Sequence, residues 1–86
     1  MKIININATW CGSCIKMKKI WNDLQNKFNL NLIKYDIDFD EEEVKKYNIG
    51  DVLPVSIFLD DSNNELCRMI GEKTIDEIEE IIKKYR

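Results

Sequence analysis

The sequence predicts one α/β domain, a four-stranded mixed sheet between helices in the order β-α-β-α-β-β-α. Three observations carry that prediction. An apolar amino-terminal run leads into a helical pattern, with Met17, Ile20, Trp21, Leu24 and Phe28 spaced by three and four. A second extended run, Asn31 to Ile37, follows that helix and makes a β-α-β unit, whose strands should be parallel. Two further extended runs, joined by a short polar turn, precede a last amphipathic helix.

Each element has its own reason. Residues 2–7 form the first strand, because Ile3, Ile4 and Ile6 favour extended backbone. An almost continuous apolar run suits a strand covered on both faces. Residues 12–28 form the first helix, with Lys16, Lys18, Lys19 and Lys27 mostly off its apolar stripe. Asn29 and Asn31 punctuate the connection to the second strand, residues 31–37. Asp40 is placed to cap a short helix over residues 41–48. Glu41, Glu42 and Glu43 fall in its first turn and Lys45 and Lys46 at its end, where the helix dipole favours them. That acidic run therefore reads as a solvated helix face, not a ligand site. Gly50 and Asp51 break the helix, and Val55–Leu59 form the third strand. Asp60 to Asn64 are turn formers, and residues 65–70 return as an antiparallel fourth strand ended by Gly71. Thr74 and Glu77 have capping-box spacing for the last helix, whose buried face should carry Ile75, Ile78, Ile81, Ile82 and Tyr85.

The bulk properties exclude several classes. The chain of 86 residues fits a single domain over residues 1–86, with no linker or internal repeat. A domain of this size buries roughly 60–65% of its unfolded surface, so the core is small. A net charge of −3 argues against nucleic acid as a partner. No stretch reaches the ~20 apolar residues of a membrane span. Lys2 followed by a strand-like run does not read as a secretory leader. Three cysteines including a Cys-x-x-Cys then suggest a reducing, cytoplasmic setting, and a monomer is expected.

Chemistry concentrates in Trp10-Cys11-Gly12-Ser13-Cys14, at the junction of the first strand and first helix. The first N–H groups of a helix lack intrahelical partners and carry partial positive charge, which favours a thiolate on Cys11. The thiolate is the form that attacks a disulfide. Cys14, one turn inside, faces the same side and can resolve the mixed disulfide. Cys11 at the exposed turn thus reads as nucleophile, Cys14 as the more buried resolving thiol, and the two as a redox disulfide pair. Half a zinc site is the competing reading, but four ligands are needed. Only Cys67 remains and the chain has no His, so no metal is expected. Cys67, in the fourth strand, reads as a small buried hydrophobe.

This order and the W-C-G-S-C motif resemble the thioredoxin superfamily, and the motif is more similar to thioredoxin than to glutaredoxin. The resemblance spans nearly the whole chain. It lacks the amino-terminal strand and helix of full-length thioredoxins, so it resembles a minimal thioredoxin fold. Lys34-Tyr35-Asp36-Ile37-Asp38 resembles the family's second-strand segment. Leu53-Pro54 resembles its cis-proline before the third strand, and Ile70-Gly71 the glycine loop facing the active site. The resemblance implies substrate binding at Leu53, Pro54 and Gly71, with the Leu53 backbone pairing to an extended peptide. It also implies that Trp10 faces substrate. The departures matter too. Asn5 stands where a buried Asp is usual, Asn7 where Trp is common, Ser13 where Pro is frequent, Ile15 where Lys is common, and Glu72 where a small apolar residue is usual. Asn5 cannot accept a proton from Cys14, and Lys34, at the position of a family lysine, is a poor base while protonated. Water is then the expected acceptor.

The function expected is thiol–disulfide oxidoreduction on protein substrates, with no prosthetic group. Electrons would come from an upstream reductase or a low-molecular thiol. A glutaredoxin-like, glutathione-using enzyme is the alternative within the fold, favoured by the short length and opposed by Trp10. A non-catalytic binding or scaffold module is the alternative outside enzymology.

Overall fold

The computed structural model describes residues 1–86. Its elements are β1 (Lys2–Asn7), α1 (Gly12–Phe28), β2 (Asn31–Asp36), α2 (Glu41–Lys45), β3 (Val55–Leu59), β4 (Glu65–Ile70) and α3 (Ile75–Tyr85). They occur in the predicted order. The sheet runs β2-β1-β3-β4. β1 and β2 are parallel, while β1–β3 and β3–β4 are antiparallel.

Alternation along the two central strands builds two cores. Ile3 and Phe58 face one side, where Met17, Trp21 and Leu24 of α1 meet Ile78 and Ile82 of α3. Ile4, Ile6, Val55, Ile57 and Leu59 face the other, over Val44 of α2. Two helices on one face and one on the other make a three-layer sandwich. Both faces of β1 and β3 are covered, which explains why their sequences are almost continuously apolar.

Four boundaries and placements differ from expectation. The second helix ends at Lys45, not at residue 48. Its carboxyl end tightens into i→i−3 hydrogen bonds, Tyr47 N–H to Val44 O at 3.1 Å and Asn48 N–H to Lys45 O at 3.4 Å. Asn48, at φ 52°, then turns the chain away. Asp40 does not cap that helix with its side chain. Its Oδ2 accepts instead from the Asp36 N–H at 2.8 Å. The second strand stops at Asp36 rather than residue 37, because Asp36 Oδ1 accepts the N–H groups of Asp38 at 2.8 Å and Phe39 at 3.3 Å and bends the backbone. On α3, Ile78 and Ile82 are buried, whereas Ile75 in the first turn stays exposed. The capping box itself is present, with Glu77 N–H donating to Thr74 Oγ1 at 3.2 Å. Cys67 is half-buried beside the α1–α3 core, and that burial pushes its thiol pKa up.

Candidate active site

β1 delivers the chain to Ala8, and one turn of loop carries it into α1. Cys11 is the N-cap of that helix, with extended backbone at φ −90° and ψ 113°. Its Sγ takes the role that Ser or Asp usually plays there, accepting the backbone N–H of Cys14 at 3.2 Å. Cys11 N–H in turn donates to Ala8 O at 3.2 Å. The sequence predicts Cys11 at an exposed first turn of a helix over residues 12–28. The structure starts α1 at Gly12 as predicted, with Cys11 as its N-cap, but leaves Cys11 nearly covered, 9% exposed beside 7% for Cys14. The cause is packing: Ala8, Cys11 and Cys14 form one small apolar cluster, and Ile37 and Leu53 lie against it.

The two thiols are free. Their environments are not equal. Desolvation raises the Cys14 thiol pKa to about 11, helped by its hydrogen bond with Cys11 and opposed by backbone hydrogen bonding at Ala8. Cys14 therefore holds its proton at neutral pH, while the Sγ of Cys11 faces a backbone donor at a helix start.

The rim comes from three loops. Trp10 is 66% exposed, and its Nε1 donates to Asp38 Oδ2 at 2.8 Å. Gly12 is exposed and Ser13 half-buried. A Cβ on Gly12 would meet nothing within 4 Å, so packing does not require glycine there. Leu53–Pro54 is a cis peptide, with Pro54 buried and Leu53 half-buried. The Leu53 N–H and C=O take part in no backbone hydrogen bond of the fold. Gly71 N–H donates to Pro54 O at 2.8 Å, tying the two loops together. Gly71 has φ 86°, and its missing Cβ would lie 3.6 Å from Val52 Cγ1, an ordinary contact. Backbone conformation, not crowding, selects glycine at that point. Val52 and Ile70, the neighbours of Leu53 and Gly71, are exposed apolar residues.

Asn5 and Lys34 lie elsewhere, behind the pair. They are opposite one another in the parallel β1–β2 register, and Asn7 is opposite Asp36. These four residues form the floor of a cleft of about 230 Å³, walled by Cys14, Ile15, Lys18 and Trp21 of α1. Asn5 is 2% exposed, and its Oδ1 has no hydrogen-bond partner. The structure thus gathers Cys11, Cys14 and Leu53 in one cluster and joins Asn5 and Lys34 to Cys14 through the cleft. Sequence reasoning missed Asp38, which holds Trp10, and Asp36, which shares the cleft. Asp36 was findable, since it stands two residues after Lys34 and period-two alternation puts both on one face. No three His, Cys, Asp or Glu side chains converge as metal ligands. What the arrangement can do is interconvert a dithiol and a disulfide one helical turn apart.

A thioredoxin family model matches residues 1–84. A thioredoxin of Ophiophagus hannah is 30% identical over 84 residues, covering 96% of this chain and 77% of the relative. A thioredoxin H-type of Oryza sativa subsp. indica is 29% identical, covering 96% of this chain and 66% of the relative. Among solved structures, reduced Schistosoma mansoni thioredoxin pre-protein superposes with a TM-score of 0.87 at 30% identity, over 98% of this chain and 77% of that one.

Proposed function

The chain belongs to the thioredoxin family and is a thiol–disulfide oxidoreductase, and we propose that Cys11 and Cys14 carry its chemistry as a nucleophile and a resolving thiol. The observation that carries this reading is the 3.2 Å hydrogen bond from Cys14 N–H to Cys11 Sγ at the start of α1. It gives a Cys11 thiolate a donor and a helix terminus. Cys11 attacks a target disulfide and forms a mixed disulfide, expelling one target thiolate. Cys14 loses its proton and attacks Cys11 Sγ, which closes the Cys11–Cys14 disulfide and frees the second target sulfur. Two electrons pass from the pair to the target, and the sulfurs hold them without a prosthetic group.

Family membership implies disulfide-containing protein substrates and a reductase partner. We assign the substrate contacts to Leu53, Pro54 and Gly71. The unengaged Leu53 N–H and C=O suit an extended segment that adds to the backbone as a strand. Trp10, Gly12 and Ser13 present the motif's outer surface to it. A low-molecular thiol is the alternative donor, and the likeness to thioredoxins favours the protein-linked route over glutathione. No helix is long and apolar enough to cross a membrane. We propose a reducing compartment such as the cytoplasm, where the pair is kept as a dithiol, and a monomer acting without nucleic acid or membrane.

The test is a redox titration of the pair in glutathione buffers, read by thiol alkylation. A midpoint near ~−270 mV marks a reductant and one near ~−120 mV an oxidant. A pair that never closes to a disulfide under oxidising buffer would reject the reading.

A further inference from the structure

We propose that Asp36 accepts the Cys14 proton during resolution, through water held in the cleft that the two residues share with Asn5. This rests on the function proposed above. It differs from the expectation that bulk water alone takes the proton.

The starting point is a chemical demand. Resolution needs a Cys14 thiolate, and burial makes that thiolate costly. Next is the geometry behind Cys14. The side chains of Asn5 and Asn7 on β1 and of Lys34 and Asp36 on β2 project from one sheet face toward α1. Cys14 lies across the cleft from them, and about 230 Å³ of space is ample for several waters beside the polar side chains of its floor. Asn5 Oδ1 is a buried acceptor with no protein donor. Such an atom calls for a water that donates to it. Asn5, Cys14 and Asp36 all line this cleft, so a water in it would lie between the thiol and the carboxylate.

The titratable groups facing Cys14 are few. Cys11 and Lys18 come from the α1 side, and Lys34 and Asp36 from β2, while β1 contributes only amides and the Ala8–Thr9 loop contributes none. Lysine side chains are hydrogen-bond donors and offer no acceptor. Asp36 is the one carboxylate. Its Oδ1 is engaged by the Asp38 and Phe39 N–H groups, and no hydrogen bond of the fold engages Oδ2. The proton passes from Cys14 Sγ through cleft water to Asp36. The new thiolate attacks Cys11 Sγ, the Cys11–target bond breaks, and the departing target sulfur is protonated from solvent. Asp36 then returns its proton to solvent.

The kinetic signature separates an internal base from none. Without a base, resolution follows the free Cys14 thiolate, so its rate climbs about tenfold per pH unit below the thiol's pKa. With Asp36 as base the rate loses that steep climb and is flat through neutral pH, because the acceptor is already in place in the cleft. The probe is 5,5′-dithiobis(2-nitrobenzoate) at equimolar concentration, in a Cys67→Ser background. One coloured thiolate leaves on attack by Cys11 and a second on resolution by Cys14. The parent should show a flat second phase through neutral pH. Asp36→Asn keeps an acceptor for the turn, so the fold should stand. It should leave the first phase unchanged, slow the second at pH 7 on the order of 100-fold and convert its profile to the steep one. Adding Asn5→Asp to Asp36→Asn returns a carboxylate to the cleft and should restore the flat profile. A steep second phase in the parent, or an Asp36→Asn second phase within about threefold of the parent, overturns the proposal. Loss of the first phase in the parent would instead reject the Cys11 assignment itself.

Discussion

The indole Nε1 of Trp10 donates a 2.8 Å hydrogen bond to Asp38 Oδ2, across 28 residues of sequence. The residue beside Cys11 is thereby anchored to the loop after β2, whose shape is set by Asp36 Oδ1 accepting the N–H groups of Asp38 and Phe39. Asp38→Ala should free Trp10 and lower disulfide reduction severalfold. Both partners are exposed, so stability should change by less than about 1 kcal/mol. Asp38→Asn keeps an acceptor and should lie nearer the parent. Activity and the emission of Trp10 in a Trp21→Phe background measure this. Equal activity in all three proteins would show that Trp10 needs no anchor.

Cys14→Ser should trap mixed disulfides with protein targets, and Cys11→Ser should trap none. The cause is the asymmetry of the pair: Cys11 Sγ receives an N–H donor, while burial and Cys11 hold the Cys14 thiol pKa at about 11. Alkylation with limiting iodoacetamide at pH 7, followed by peptide mapping, should label Cys11 first. Preferential labelling of Cys14 would reverse the assigned roles.

The dithiol protein should lose stability in alkali. Folding raises the Cys14 pKa from 9.0 to about 11. The native state keeps a proton that the unfolded chain has lost, so stability is intact below pH ~9 and falls as pH rises toward ~11. Cys67 and Tyr47 are raised by burial in the same direction. Cys14→Ser should therefore flatten the slope without abolishing it. Urea unfolding in reducing buffer at several pH values measures it. An unchanged slope in Cys14→Ser would show that Cys14 is solvated.

Gly71→Ala should cost about 1–2 kcal/mol, because φ 86° disfavours any residue with a Cβ. The missing Cβ meets only Val52 Cγ1 at 3.6 Å, so the loss is conformational. Relaxation of that loop would pull Gly71 N–H away from Pro54 O. The rise in KM for protein disulfides should therefore exceed the fall in kcat. Thermal unfolding and steady-state reduction of insulin check both parts. A variant as stable as the parent would mean that the loop adopts another conformation.

Most of the fold was legible because its signals are local. The apolar period of α1, the continuous β1 and β3, the Asp60–Asn64 turn and the Thr74–Glu77 box each sit within a few residues. The Cys-x-x-Cys pair was legible for the same reason. Boundaries were less so. The α2 terminus and the end of β2 depend on which partner Asp36 and Asp40 choose, and each had a competing local role. The exposure of Cys11 was misjudged because Ile37 and Leu53, which cover the pair, are distant in sequence.

By itself, then, the sequence determined the element order, the parallel β-α-β start, the two-thiol chemistry and the helix that carries it. These follow from backbone propensity, period and spacing, which act over one or two turns of chain. Tertiary structure alone decided how the thiols are shielded, that Asp38 holds Trp10, and that Asn5, Lys34 and Asp36 share a cleft with Cys14. Those relationships depend on strand register and on which helix covers which sheet face. They set the desolvation of Cys14, because it depends on distances through space rather than along the chain.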